Sequence, residues 1–83
     1  MVPIKLEKFV KDFITTNPGE NKQNIRRSLI AAVKAKQSGS HCMQCGDVIW
    51  AIGSAVCGWN GCFTCITGEA DSSVDYEIDT VCW

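Results

Sequence analysis

Two cysteine pairs, Cys42 and Cys45 in "HCMQCGDVIW" and Cys62 and Cys65 in "CFTC", are separated by sixteen residues, which gives the pattern C-x2-C-x16-C-x2-C. A two-residue spacer lets one tight turn aim both sulfurs at a single ion while turn N–H groups hydrogen-bond to them, and Gly46 supplies the positive φ that such a turn often needs. Two such knuckles, joined by an out-and-back pair of strands, bring four thiolates to the corners of a tetrahedron. The spacing falls in the range that reads as a tetrahedral zinc site, the arrangement of a zinc ribbon. The spacing alone makes this a strong signal.

A chain of 83 residues is near the size at which a hydrophobic core alone leaves little net stability and an additional staple is commonly needed. Six cysteines suggest where the staple comes from. The N-terminal "MVPIKLEKFVKDF" interleaves charge with apolar residues, so no signal peptide is apparent and a reducing cytoplasm is the expected location. There, paired cysteines bind metal more often than each other. Three readings of the four sulfurs stay open: a closed structural zinc site, a tetrahedral iron site as in rubredoxins, and plain thiols or disulfides. The longest uncharged stretch, Val48 to Gly68, contains three cysteines, four glycines and Asn60, which is not how a membrane span is built.

Charge is divided along the chain. All eight Lys and Arg lie between Lys5 and Lys36, so the segment to Ser40 carries +5, whereas the six acidic side chains from Asp47 onward face no basic residue and give −6. In the basic half, Leu6, Phe9, Val10, Phe13 and Ile14 recur at helical spacing, which predicts a helix from Pro3 to Thr16. "NPGE" then reads as a second helix start, with Asn17 as N-cap and Glu20 in a capping box. That helix runs to Lys36 or Gln37 with Gly39 as its stop; Ile25, Leu29, Ala32 and Val33 share one face, while Arg26, Arg27 and Lys34 fall on another.

Beyond Gly46 the pattern turns β-prone. "DVIWAI" and "CFTCIT" read as short strands, and "SVDYEID" alternates Val74, Tyr76 and Ile78 against Asp75, Glu77 and Asp79, a strand with the acids on its wet face. The expected architecture is a small metal-stabilised α+β domain: a helical hairpin over residues 1–38, then a zinc-ribbon-like β-hairpin or three-stranded sheet over 39–83, together one compact unit.

Other residues compete for roles at the site. His41 adjoins Cys42 and would have to turn back sharply to reach the same ion, so a supporting or exposed position is expected. Cys57 is off the knuckle spacing and reads as a buried small hydrophobe. Cys82 becomes a ligand only if the last strand folds back over the cluster. Trp50, Trp59, Trp83, Phe63 and Tyr76 read as core that the metal pins in place, with Trp59 the most exposed.

"CGDVIWAIGSA" and "CFTCITGEADSSVDYEI", preceded by a helical segment with "NPG", resemble a family of small, uncharacterised bacterial proteins of zinc-ribbon type. The resemblance covers most of the chain and implies a metal bound by Cys42, Cys45, Cys62 and Cys65. The sequence departs from the most regular ribbon knuckle in having Ile66, not glycine, after the second pair.

Four cysteines leave a metal no open position, and the chain has no Ser, His and Asp constellation or phosphate-cradling glycine loop, so an enzyme is not expected. The expected role is a zinc-binding structural module that contacts another protein, with no membrane and no small-molecule substrate. The alternatives are a nucleic-acid-binding ribbon using Arg26, Arg27 and Lys34, or an iron electron carrier. The acidic half together with a tetrathiolate zinc site, itself of charge about −2, would repel a phosphate backbone.

Overall fold

A computed structural model describes residues 1–82. The elements run β1 (Val2–Ile4), α1 (Leu6–Thr16), α2 (Lys22–Gln37), α3 (Ala51–Cys57), α4 (Phe63–Thr67) and β2 (Tyr76–Ile78), with a 3-10 turn over Asp79–Val81. The result is a small α+β fold with four helices and a two-stranded sheet among the described residues. Trp83 lies outside them.

The helical face of α2 packs as its periodicity predicts. Ile25, Leu29, Ala32 and Val33 are all buried and join Val10 of α1, Ala51 and Ile52 of α3, and Ile78 and Val81 in one core. α2 stops at the expected place, because Gly39 takes φ +85° and the amides of Gly39 and Ser40 return to the carbonyls of Lys36 and Ala35. Its start differs. Asn17 closes α1, accepting nothing from α2 and donating to Phe13 O, while Asn21 caps α2 by accepting from the amides of Gln23 and Asn24 at 2.9 and 3.1 Å. Residues 17–20 form a turn between the helices, with Glu20 N–H on Asn17 O.

Pro3 is likewise not in a helix. It belongs to β1, which pairs in parallel with β2 in the register Val2 to Tyr76, Pro3 to Glu77 and Ile4 to Ile78. A short edge strand tolerates a residue without an N–H, and no local signal announces a partner seventy-four residues away.

The larger departure lies in the second half. The β-hairpin and three-stranded sheet expected after Gly46 do not form among the described residues; "AIGSAVC" is α3 and "FTCIT" is α4. The first amides of α3, at Ala51 and Ile52, donate to the Glu77 carboxylate at 2.8 and 3.2 Å. A remote carboxylate thereby caps a helix whose own N-cap position, Trp50, offers no side-chain acceptor. Tertiary capping outweighs the β propensity of the Val, Ile and Trp that precede it.

The alternation expected of the last strand holds only in part: Ile78 is buried and Asp79 exposed as expected, but Glu77 is not on the wet face. It is fully buried and paired with Lys36 at 2.8 Å, whereas Val74 and Tyr76, expected inward, are exposed. Close packing explains one glycine: a Cβ at Gly53 would overlap the Trp50 ring and stand 2.9 Å from Ile66 Cδ1. Trp50 lies across α3 there, with its indole N–H on Tyr76 O at 2.8 Å.

Candidate metal centre

The structure brings Cys42, Cys45, Cys62 and Cys65 together: their four sulfurs all lie within 4.8 Å of one another. A tetrahedral ion with metal–sulfur bonds of about 2.3 Å requires sulfur–sulfur edges of about 3.8 Å. The Cys45–Cys62 pair, at 3.5 Å, is already near that edge, and four soft thiolate donors suit zinc or iron. The donor set therefore fits a metal ion.

Each pair is positioned by a different local device. At the first, Cys42 N–H donates to Asp47 O at 2.7 Å and Gly46 N–H returns to Cys42 O at 2.9 Å, with Gly46 at φ +81° as the turn demands. A single antiparallel bridge, His41 to Val48, closes the knuckle. The second pair sits on the first turn of a helix. Cys62 is the N-cap of α4, its sulfur accepting the Cys65 amide at 3.4 Å, and Ile66 N–H continues the helical bonding to Cys62 O at 3.0 Å. This explains how Ile66 replaces glycine at that position: a helical turn needs no left-handed residue after the second cysteine, and Gly68, at φ +79°, ends α4 instead.

The two turns are held to each other without the metal. Met43 N–H donates to Asn60 O at 3.0 Å and Trp50 N–H to Gly61 O at 2.8 Å. The buried Ser54 hydroxyl both donates to Gly61 O and accepts from Gly61 N–H, each at 3.1 Å. Trp50 and Phe63 meet edge to face, 5.0 Å between ring centroids. Ser54 thus spends its hydroxyl on positioning the approach to Cys62. The "GSA" tripeptide carries no sequence signal for this, since Gly61 becomes its neighbour only once α3 has formed.

The sulfurs differ in environment. Cys42 and Cys62 are buried, Cys65 is half-buried and Cys45 is exposed. Burial pushes the Cys42 thiol up, but the amides of Cys45, Cys62 and Gln44 and the Cys65 thiol together outweigh it and bring it down to about 6. At Cys45 the Asp47 amide pulls down, yet the Cys62 thiol and burial leave it raised. Cys65 is raised by the adjacent sulfurs of Cys62, Cys42 and Cys45. Without a cation, protons thus have to keep neighbouring sulfurs apart; a bound divalent ion takes their place.

The competing residues stay outside the cluster. His41 is exposed and bridges Val48 through its backbone. Cys82 points its thiol at Met1 O, 3.6 Å away. Cys57, expected to be buried, is exposed at the end of α3. On α2, Arg27 and Lys34 are exposed, but Arg26 grips Glu7 of α1 with Nη2 to Oε1 at 2.8 Å and Nε to Oε2 at 3.1 Å, which holds the Glu7 carboxyl below its ordinary range. Among the described residues no helix is long and apolar enough to cross a membrane. Comparisons with protein-family models, with curated proteins and with solved structures find no match to this chain.

Proposed function

We propose that this chain is a non-catalytic structural module in which Cys42, Cys45, Cys62 and Cys65 hold one zinc ion and the folded surface serves to bind another protein. The convergence of four cysteine sulfurs within 4.8 Å carries the reading. A four-thiolate site is coordinatively closed, so zinc there supplies structure, with no position for a substrate or an activated water. The likeness of "CGDVIWAIGSA" and "CFTCITGE" to small bacterial zinc-ribbon-type proteins supports the same ligand set. Here the two cysteine pairs are followed by the helices α3 and α4 where a ribbon would carry strands.

A protein partner is favoured over nucleic acid by two observations. One of the three basic side chains proposed for phosphate contact, Arg26, is engaged with Glu7. The surface also carries an open, mainly apolar groove of about 580 Å³ between α1 and the sheet, where Pro3, Ile4, Phe9, Phe13 and Tyr76 share the lining with polar side chains that include Lys5, Lys8 and Asp12. Concave apolar surface of this kind suits a polypeptide better than a phosphate backbone.

Cobalt(II) substitution tests the closed tetrathiolate. The chain, reduced and stripped of metal, is expected to take up cobalt with saturation at one ion per chain and to develop the visible bands of tetrahedral cobalt and the near-ultraviolet thiolate charge transfer, all bleached by added zinc. A pale octahedral spectrum, or none, contradicts the reading.

A further inference from the structure

We propose that the cluster is a thiol switch, in which a hydroperoxide joins Cys45 to Cys62 as a disulfide across the two knuckles and the metal is released. This rests on the zinc reading above. The four cysteines are unequally protected: Cys42 and Cys62 are 3% and 6% exposed, Cys65 is half-buried and Cys45 is the exposed residue. The exposed cysteine also has its sulfur against that of a buried one, with Cys45 Sγ 3.5 Å from Cys62 Sγ. A disulfide needs about 2.05 Å, so a closure on the order of 1.5 Å makes the bond.

The chemistry balances with one hydroperoxide per chain. The Cys45 thiolate attacks the terminal peroxide oxygen, the O–O bond breaks, and the alkoxide or hydroxide leaving group takes a proton from water, leaving a sulfenic acid on Cys45. The Cys62 thiolate then attacks that sulfur. The S–S bond forms, the S–O bond breaks, and the departing hydroxide is protonated to water. Two thiolates have lost two electrons to one peroxide. Only Cys42 and Cys65 then remain as thiol donors, and two sulfurs do not retain zinc in competition with a chelator.

Most of the fold is insulated from this step. The main core, built on Val10, Ile25, Leu29, Ala32, Val33, Ala51, Ile52, Ile78 and Val81, contains none of the four cysteines. The hydrogen bonds from Met43 to Asn60 and from Trp50 to Gly61 keep the two knuckles adjacent when the ion leaves. Oxidation therefore rearranges one end of the molecule and is reversible by a dithiol.

The test uses the full chain loaded with zinc, treated with hydrogen peroxide in the presence of a chromogenic zinc chelator, with disulfides then mapped by mass spectrometry. The expected result is complete loss of bound zinc in step with a Cys45–Cys62 disulfide, and recovery of zinc binding after dithiothreitol treatment. Zinc retained at peroxide concentrations that oxidise the exposed Cys57 overturns the switch and leaves the zinc reading standing. Release with disulfides confined to Cys42–Cys45 and Cys62–Cys65 overturns the cross-knuckle pairing. A chain that holds no zinc before peroxide is added overturns both readings.

Discussion

Glu77→Ala is expected to destabilise the fold by about 3–5 kcal/mol, the usual cost of removing one partner from a buried ion pair, and a loss of that size leaves a chain this short mostly unfolded at 37 °C. Glu77 is 0% exposed and its carboxylate gathers four donors: Lys36 Nζ at 2.8 Å and the amides of Ala51, Ile52 and Ile78 at 2.8, 3.2 and 3.1 Å. Truncation removes the counter-charge from beside a buried ammonium and strips α3 of its cap in one step. Glu77→Gln, which keeps an acceptor for the amides but not the charge, should fall between wild type and Glu77→Ala. Changing Lys36 and Glu77 together to methionine should recover part of the loss, because an apolar pair has no charge to desolvate. Urea denaturation followed by helix signal reads all three. The exposed Arg26–Glu7 pair offers a contrast: Glu7→Gln should scarcely move the midpoint.

The second large effect concerns the cluster. Cys45→Ser and Cys62→Ser are each expected to abolish stoichiometric zinc binding and to lower the melting temperature by on the order of 10 °C or more, since structural zinc contributes its binding energy to the folded state. Cys57→Ser, altering an exposed thiol outside the cluster, should leave both metal content and melting unchanged. The loss should be local. The ion joins the turns at 42–46 and 62–65, whereas α1, α2 and α3 share a core free of cysteine ligands, so helix content should fall little. Equal metal content and equal melting across the three variants would remove the cluster from the account.

What the sequence made legible and what it hid follow from the range of the interactions involved. The cysteine spacing is a local covalent pattern, and the buried face of α2 is a local periodicity, so both could be read without a partner in view. α3 could not, because its helix is capped by a carboxylate twenty-five or more residues downstream and the Val48, Ile49 and Trp50 that lead into it favour a strand. The alternation from Val74 to Asp79 misled for the same reason. An acidic side chain in an alternating strand normally faces water, and it takes remote donors, Lys36 forty-one residues upstream and the amides of Ala51 and Ile52, to hold Glu77 inward. β1 required a parallel partner near the opposite end of the chain. Ser54, Asn60 and Gly61 carry no local signal, although their hydrogen bonds hold the two knuckles together.

The most direct measurement is the elemental composition of protein purified under reducing conditions with no metal added, with the visible absorption spectrum of the same sample. One zinc per chain and no colour is the predicted result. Iron with visible charge-transfer bands would contradict the structural-zinc account and make the cluster a redox centre, and a metal-free chain would return Cys42, Cys45, Cys62 and Cys65 to plain thiols.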